Sequence, residues 1–385
     1  MGDVQLSYDA VESSLFLLKA SLRSLRSAGC LARLSSGSTA TLAARAAAFF
    51  AARRQGPALL VGALPFDFNA ADALFQPECV MLPDLSGEGL LPSFTGVHAE
   101  PSSDEYGGSV AQALKQFQGG ADASRKVVLA RSLRVQAAAS VNPLALASRL
   151  DLDSSVATYV VPVPTAATSP AWLVGATPEL LMSKRGLAIA SHPLAGSARR
   201  SADPVEDARA AECLLASEKD MEEHRYVVDA IVEVLSPLCA ELDVPEKPSL
   251  HATATMWHLG TQIKGRLKDT SVSAAALVGL LHPTPAVCGT PRASALKAIK
   301  ALEPVDRGFY AGAVGWLDAD GDGDWYVAIR CAHVQGAELR LFAGAGIVAG
   351  SRPEAEVDET AGKFMAMLNA LGIKDALGAS YQVER

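Results

Sequence analysis

The sequence has no Cys-x-x-Cys pair, no apolar run approaching the ~20 residues that span a bilayer, and no excess of positive charge. Each absence removes a class of function. The six cysteines, Cys30, Cys79, Cys213, Cys239, Cys288 and Cys331, are widely spaced in mostly apolar surroundings, which reads as reduced core residues. A formal charge of −8 with scattered Lys and Arg provides no field to attract nucleic acid or an acidic membrane, so neither is an expected partner. Asp3, Asp9 and Glu12 stand where a secretion signal would be basic, and Gly2 lacks the Ser or Thr that myristoylation requires; the expected compartment is the cytoplasm. Gly-x-Ser-x-Gly, His-Glu-x-x-His and P-loop motifs are also missing, and the seven histidines do not cluster at metal-ligand spacing. Hydrolase and zinc readings lose their support.

What is present is a chain of 385 residues, 49% apolar and only 20% charged, able to bury a large core, with one dominant domain expected. The first 120 residues are rich in Ala and Leu: Thr41–Arg54 reads as helix, Ala58–Leu64 as strand, and 84–108 as a Gly/Pro/Ser-rich stretch. Little polar chemistry gathers there, and its expected job is packing and shielding one side of the sheets. From Lys126 strand signals dominate, at Lys126–Val135, Ser155–Val163, Trp172–Ser183, Leu187–His192, Ala311–Leu317, Trp325–Ala332 and Leu339–Val348. Helical periodicity interrupts them at Glu206–Leu235, Ser271–Leu281, Pro291–Leu302 and Pro353–Leu371. Strands grouped in hairpins, with helices in separate blocks, predict an α+β fold with antiparallel sheets.

Several polar groups fall on apolar faces. Ser217-Glu-Lys-Asp can cap a helix whose apolar stripe runs Val227, Ile231, Val234, Leu235, and one turn back along that stripe lies Glu223. A carboxylate aimed at the buried side costs several kcal/mol unless paired or bound to a cation; an ion pair and a metal or substrate contact both remain open. In the last helix Glu356, Glu359 and Lys363 form one strip beside Val357, Phe364, Leu368 and Leu371, which fits an ordinary Glu359–Lys363 surface pair or, with Glu223, a set of hard oxygen ligands for magnesium. Lys126 and Glu179 each open a strand run, a position where a charge is commonly solvated.

Two motifs mislead. Asp318-Ala-Asp320-Gly-Asp322-Gly323-Asp324 imitates the start of an EF-hand, but the twelfth position is Ile329 and the flanks read as strands, leaving an acidic hairpin turn. Phe342-Ala-Gly344-Ala-Gly346 imitates a dinucleotide fingerprint without its third glycine; small residues there let backbone approach a ligand.

From about residue 120 to 372 the chain resembles the chorismate-utilising enzymes, which include isochorismate, anthranilate, aminodeoxychorismate and salicylate synthases. The resemblance rests on Lys126-Val-Val-Leu-Ala-Arg131, Gly175-Ala-Thr-Pro-Glu179, Pro193-Leu-Ala-Gly196-Ser, Ser217-Glu-Lys-Asp-Met-Glu-Glu223-His224, Trp257-His258-Leu, His282-Pro-Thr-Pro-Ala286, Gly315-Trp316, Ile329-Arg330-Cys-Ala, Phe342-Ala-Gly344-Ala-Gly346 and Asp358-Glu359-Thr-Ala-Gly-Lys363. It implies large antiparallel sheets packed together with helices on the outside. It further implies that Glu223 and Glu359, with Glu356 as an outer or third ligand, hold Mg2+ against a carboxylate of chorismate. That would answer how an acidic protein binds a dianion, since the metal reverses the local sign. Arg330, Lys363 and backbone near Gly344 would meet the substrate's carboxylates, and His258, Gly196, Ala286 and Val287 would line the pocket.

By the same resemblance Lys126 is the base that activates water toward C2, and Glu179 is the acid that protonates the leaving C4 hydroxyl. An acid of this kind must carry a proton near neutrality, which requires a raised pKa. Ammonia-using relatives usually carry Thr where this chain has Ala286, so the expected activity is isochorismate synthesis, feeding 2,3-dihydroxybenzoate siderophores, by a monomer without a glutamine amidotransferase. Salicylate synthase, which goes on to eliminate pyruvate, is the alternative, and an anthranilate-type subunit is a third. Menaquinone and salicylate pathways also consume isochorismate.

Overall fold

The computed structural model describes residues 14–52, 54–85, 89–117 and 124–373; Gly2, Asp3, Asp9 and Glu12 of the N-terminal reading lie outside them. Two large sheets and a small one carry the fold, and every strand pairing is antiparallel. A ten-stranded sheet has Lys126–Ala137, Glu338–Ile347, Cys331–Gln335, Ala171–Thr177 and Ala157–Val163 as successive central strands. A nine-stranded sheet runs through Ile263–Leu267, Ala188–His192, Leu180–Arg185, Gly323–Val327 and Ala313–Asp318. Leu194–Arg199, Met256–Gly260 and Ser249–Ala252 make the third.

The ten-stranded sheet is covered on both faces. Side chains alternate along a strand, and here the alternation divides residues between two cores: Phe16, Leu18, Tyr159, Val161 and Leu173 face one, while Leu17, Val160, Trp172 and Val174 face the other. The first core continues into the nine-stranded sheet and into the helices Glu218–Leu235 and Ala274–Leu281. The second is closed by the helices Pro143–Leu150 and Pro353–Leu371. Because both faces are buried, these strands appear in sequence as continuous apolar runs.

Most expected elements are present, including the helix Pro353–Leu371 and the turn at Lys184-Arg185-Gly186 joining Leu180–Arg185 to Ala188–His192. The acidic segment 318–324 is indeed a hairpin turn, with Asp322 paired to Lys184 at 2.7 Å and Asp324 to Arg185 at 2.6 Å. Several expectations need correction. The block read as helix from Glu206 to Leu235 is two helices, Pro204–Ala216 and Glu218–Leu235, parted at Ser217, whose hydroxyl accepts from the Asp220 amide and caps the second. The N-terminal strands do not shield the sheets; they extend them, Phe16–Lys19 pairing with Ala157–Val163 and Leu59–Leu64 with Ala313–Asp318. A helix at Ser103–Gln116, opened by a Ser102/Glu105 capping box, begins within the Gly/Pro/Ser-rich stretch 84–108. Cys239, Cys288 and Cys331 are buried and unpaired as expected, but Cys79 and Cys213 are exposed.

Two further corrections concern function. Trp172–Ser183 and Trp325–Ala332 each read as one strand, yet each is broken. The first leaves the ten-stranded sheet after Thr177 and joins the nine-stranded sheet at Leu180; the second returns from Val327 to Cys331. Pro178, which lacks an amide proton, interrupts the first ladder, and Arg330 at φ 52° interrupts the second.

Candidate active site

The two crossings between sheets carry Glu179 and Arg330. The Val327 amide donates to the Glu179 carbonyl at 3.1 Å, and the Ala176 amide donates to the Arg330 carbonyl at 3.1 Å. Glu179 is 3% exposed, and burial pushes its carboxyl up to about 8, against the downward pull of Lys126 and Arg330. The carboxyl therefore keeps its proton near neutrality, as an acid at this position requires. A non-glycine residue at φ 52° costs on the order of 1 kcal/mol, and the crossing holds Arg330 there. Among the described residues its half-buried guanidinium has no hydrogen bond or ion pair of its own.

Lys126 opens the strand that lies between Glu338–Ile347 on one side and Phe94–Glu100 and Gly289–Thr290 on the other, and is fully buried. Its Nζ lies 3.1 Å from Oε1 of Glu223, which projects from the Glu218–Leu235 helix on the buried stripe with Val227, Ile231 and Leu235. Gly346 makes room for this pair: a Cβ there would stand 2.0 Å from Glu223 Oε1 and 3.1 Å from Lys126 Cε. The other Glu223 oxygen, Oε2, is buried without a hydrogen-bond partner. On the same helix His224 is fixed by the Ala195 carbonyl at 3.2 Å and the Thr261 hydroxyl at 2.7 Å; burial, then Lys126, lowers its pKa to about 4.

The last helix brings Glu356 and Glu359 to the same region. Glu359 is no surface pair: Lys363 lies 2.6 Å away with both side chains largely covered, and the Ser197 hydroxyl donates to it at 2.8 Å. Burial alone would raise its pKa, but Lys363 and Lys219 hold it down to about 2. Glu356 is fully buried, and burial together with Glu359 raises its pKa. Lys219 stands between these acids, its Nζ 2.9 Å from Glu356, 3.9 Å from Glu359 and 3.8 Å from Asp220. The donor set of hard carboxylate oxygens, with Glu223 Oε2 and both oxygens of Glu356 buried without a hydrogen-bond partner, suits a magnesium ion. Among the described residues, however, no three His, Cys, Asp or Glu side chains already converge on one point; ammonium groups of the chain sit among them.

One tightly walled cavity collects the residues singled out in the sequence: Glu179, Gly196, Glu223, His258, Ala286, Val287, Arg330, Gly344 and Lys363 all line it. Lys126 lies behind Glu223, and Glu359 behind Lys363 and Ser197. The Lys363 ammonium also donates to the Gly344 carbonyl at 2.9 Å. His258 is buried with Nε2 unpartnered; burial, then Arg330 and Lys363, drives its pKa well below the ordinary value, so the ring is neutral. Gly196, at φ 77°, sits against the Glu218–Leu235 helix, where a Cβ would come within 2.9 Å of Asp220 Cβ. A groove of about 840 Å3 near Glu100, Leu302 and Arg340 holds none of these groups.

Sequence reasoning missed Lys219, Ser197, Tyr310 and the space-making role of Gly346. The first was within reach, since Lys219 and Asp220 precede Glu223 by one helical turn. Tyr310, which also lines the cavity, is brought in by tertiary packing and left no signal.

Comparison with known proteins places these findings. The model of the chorismate binding enzyme family matches residues 91–372. Isochorismate synthase DhbC of Bacillus subtilis is 46% identical over 328 residues, covering 83% of this chain and 82% of that protein. Isochorismate synthase EntC of Escherichia coli K12 is 37% identical over 389 residues, covering 96% and 98%. The crystal structure of DhbC from Bacillus anthracis superimposes with a TM-score of 0.87 at 40% identity, covering 94% of this chain and 97% of that one.

Proposed function

The chain belongs to the family of chorismate-binding enzymes, and from that premise we propose that it is an isochorismate synthase, an isomerase that adds water at C2 of chorismate and removes the C4 hydroxyl. The observation that carries the mechanism is a buried carboxyl, Glu179, whose pKa near 8 keeps its proton, in one cavity with Glu223, behind which lies Lys126. Relatives named isochorismate synthases at 46% and 37% identity support the activity.

In this reading Lys126, as the amine, takes a proton from water while a C–O bond forms at C2. The ring double bonds shift, the C4–O bond breaks, and Glu179 gives its proton to the departing hydroxyl, which leaves as water. The cycle closes when the proton on Lys126 is returned to Glu179. Arg330 and Lys363 receive the substrate's carboxylates, and His258, Gly196, Gly344, Ala286 and Val287 shape the walls. Glu223 and Glu359, with Glu356 beside them, would hold Mg2+, which supplies positive charge against a substrate carboxylate in a cavity otherwise crowded with acids. We further propose that the whole chain is one catalytic domain, acting as a cytoplasmic monomer without an amidotransferase, and that its product feeds 2,3-dihydroxybenzoate siderophore synthesis. Among the described residues no helix is long and apolar enough to cross a membrane.

The test is incubation of purified protein with chorismate and magnesium, with and without ammonium, resolving products chromatographically and measuring pyruvate. Isochorismate alone, lost on adding EDTA, is expected. Salicylate with pyruvate, or an aminated product, would assign a different member activity, and no turnover would end the enzyme reading.

A further inference from the structure

Lys219 lies on the exposed side of the carboxylate cluster, with 24% of its side chain open to solvent. Its ammonium is within 4 Å of Glu356, Glu359 and Asp220, and among the described residues it is the only ion-pair partner of Glu356, which is fully buried. A buried carboxylate without a cation is strongly unfavourable, so the Lys219 ammonium has a clear role in the metal-free protein. The Lys219 Nζ stands 2.9 Å from Glu356, 3.9 Å from Glu359 and 3.8 Å from Asp220, so a divalent ion drawn to Glu356 and Glu359 would meet a positive charge at close range, and would not with Lys219 swung out to solvent.

We propose that Lys219 is the resident counter-cation of this cluster and competes with the divalent ion, so that metal binding requires the Lys219 ammonium to withdraw. The inference rests on the magnesium reading above and adds to it a residue that weakens metal affinity while securing the empty site. Lys219 is thus a positioning residue that touches no reacting atom. Neutralising it should tighten metal binding, whereas removing a ligand or a merely structural lysine would weaken it or leave it unchanged.

The experiment is Mn2+ binding measured by electron paramagnetic resonance of the free ion, in the absence of chorismate, for the native protein, Lys219→Met and Lys219→Gln, with Mg2+ as competitor. Tighter binding of about tenfold or more in both variants is expected, corresponding to about 1.4 kcal/mol. A second readout guards against misfolding: without metal both variants should melt at lower temperature than the native protein, and saturating Mg2+ should raise their melting temperature by more than it raises the native one. Equal or weaker Mn2+ binding in folded variants overturns the role of Lys219 while leaving the magnesium reading intact. No measurable binding by native protein and variants alike would overturn both.

Discussion

Glu179 and Arg330 sit on two chain crossings that are hydrogen-bonded across one another, the neighbour of each donating to the carbonyl of the other's crossing. One crossing goes from the ten-stranded to the nine-stranded sheet and the other returns. The buried Glu179 carboxyl and the Arg330 guanidinium therefore issue from one seam joined by backbone hydrogen bonds.

If Glu179 is the acid, Glu179→Gln should lower kcat by roughly 10²–10⁴-fold with little change in KM for chorismate. In the native protein kcat should fall as pH rises through about 8, where the carboxyl loses its proton, and the residual activity of the variant should lack that limb. Stability gives an independent check. A carboxyl raised from 4.5 to about 8 on folding contributes fully below pH 4.5 and loses that contribution as pH rises to 8. Glu179→Gln should therefore be more stable than native protein at pH 7, by up to about 3 kcal/mol, with the advantage gone at pH 4; urea melts at both pH values decide it.

The Lys126–Glu223 pair is buried on both sides. Lys126→Met should remove activity and also destabilise the fold by about 3–5 kcal/mol, because it leaves an uncompensated carboxylate. Adding Glu223→Gln should recover much of the stability and none of the turnover. A double-mutant cycle of denaturant melts would show additive losses if the two groups do not interact.

Gly346→Ala places a methyl where Glu223 Oε1 lies. The carboxylate must move while the strand stays paired, so the magnesium concentration for half-maximal rate should rise at least tenfold with an unchanged circular dichroism spectrum. An unchanged magnesium requirement would mean that Glu223 is not a ligand.

His258 presents an unpartnered nitrogen to the cavity. Removing a hydrogen bond between a neutral ring and substrate costs roughly 1 kcal/mol, so His258→Leu should raise KM about fivefold and leave the pH profile of kcat in place. Loss of the limb near pH 8 in this variant would shift the acid role away from Glu179.

Much of this site was legible in the sequence because charges on an apolar face are conspicuous. Glu223 breaks a clean helical stripe, and Glu356, Glu359 and Lys363 repeat at helical spacing, so the residues that the two helices bring together were conspicuous, although the last strip also fitted a surface pair. The seam was not legible. Trp172–Ser183 and Trp325–Ala332 look like single strands because each crosses between two sheets that are both buried, leaving the apolar pattern unbroken; only Pro178 hinted at the break. Lys219 escaped for a related reason: a lysine in the first turn of a helix full of acids looks like a solvated residue until the last helix is folded against it. The N-terminal strands were hard to place because their partners lie far along the chain.

That last separation has its own consequence. Leu59–Leu64, buried throughout, pairs with Ala313–Asp318, about 250 positions later. At synthesis rates of roughly 5–20 residues per second, the apolar strand would wait on the order of 10–50 s for its partner to leave the ribosome. The nine-stranded sheet therefore closes late and over a long loop, which favours slow folding. An exposed Leu59–Leu64 segment on nascent chains is the place where chaperone dependence and aggregation during overexpression should concentrate.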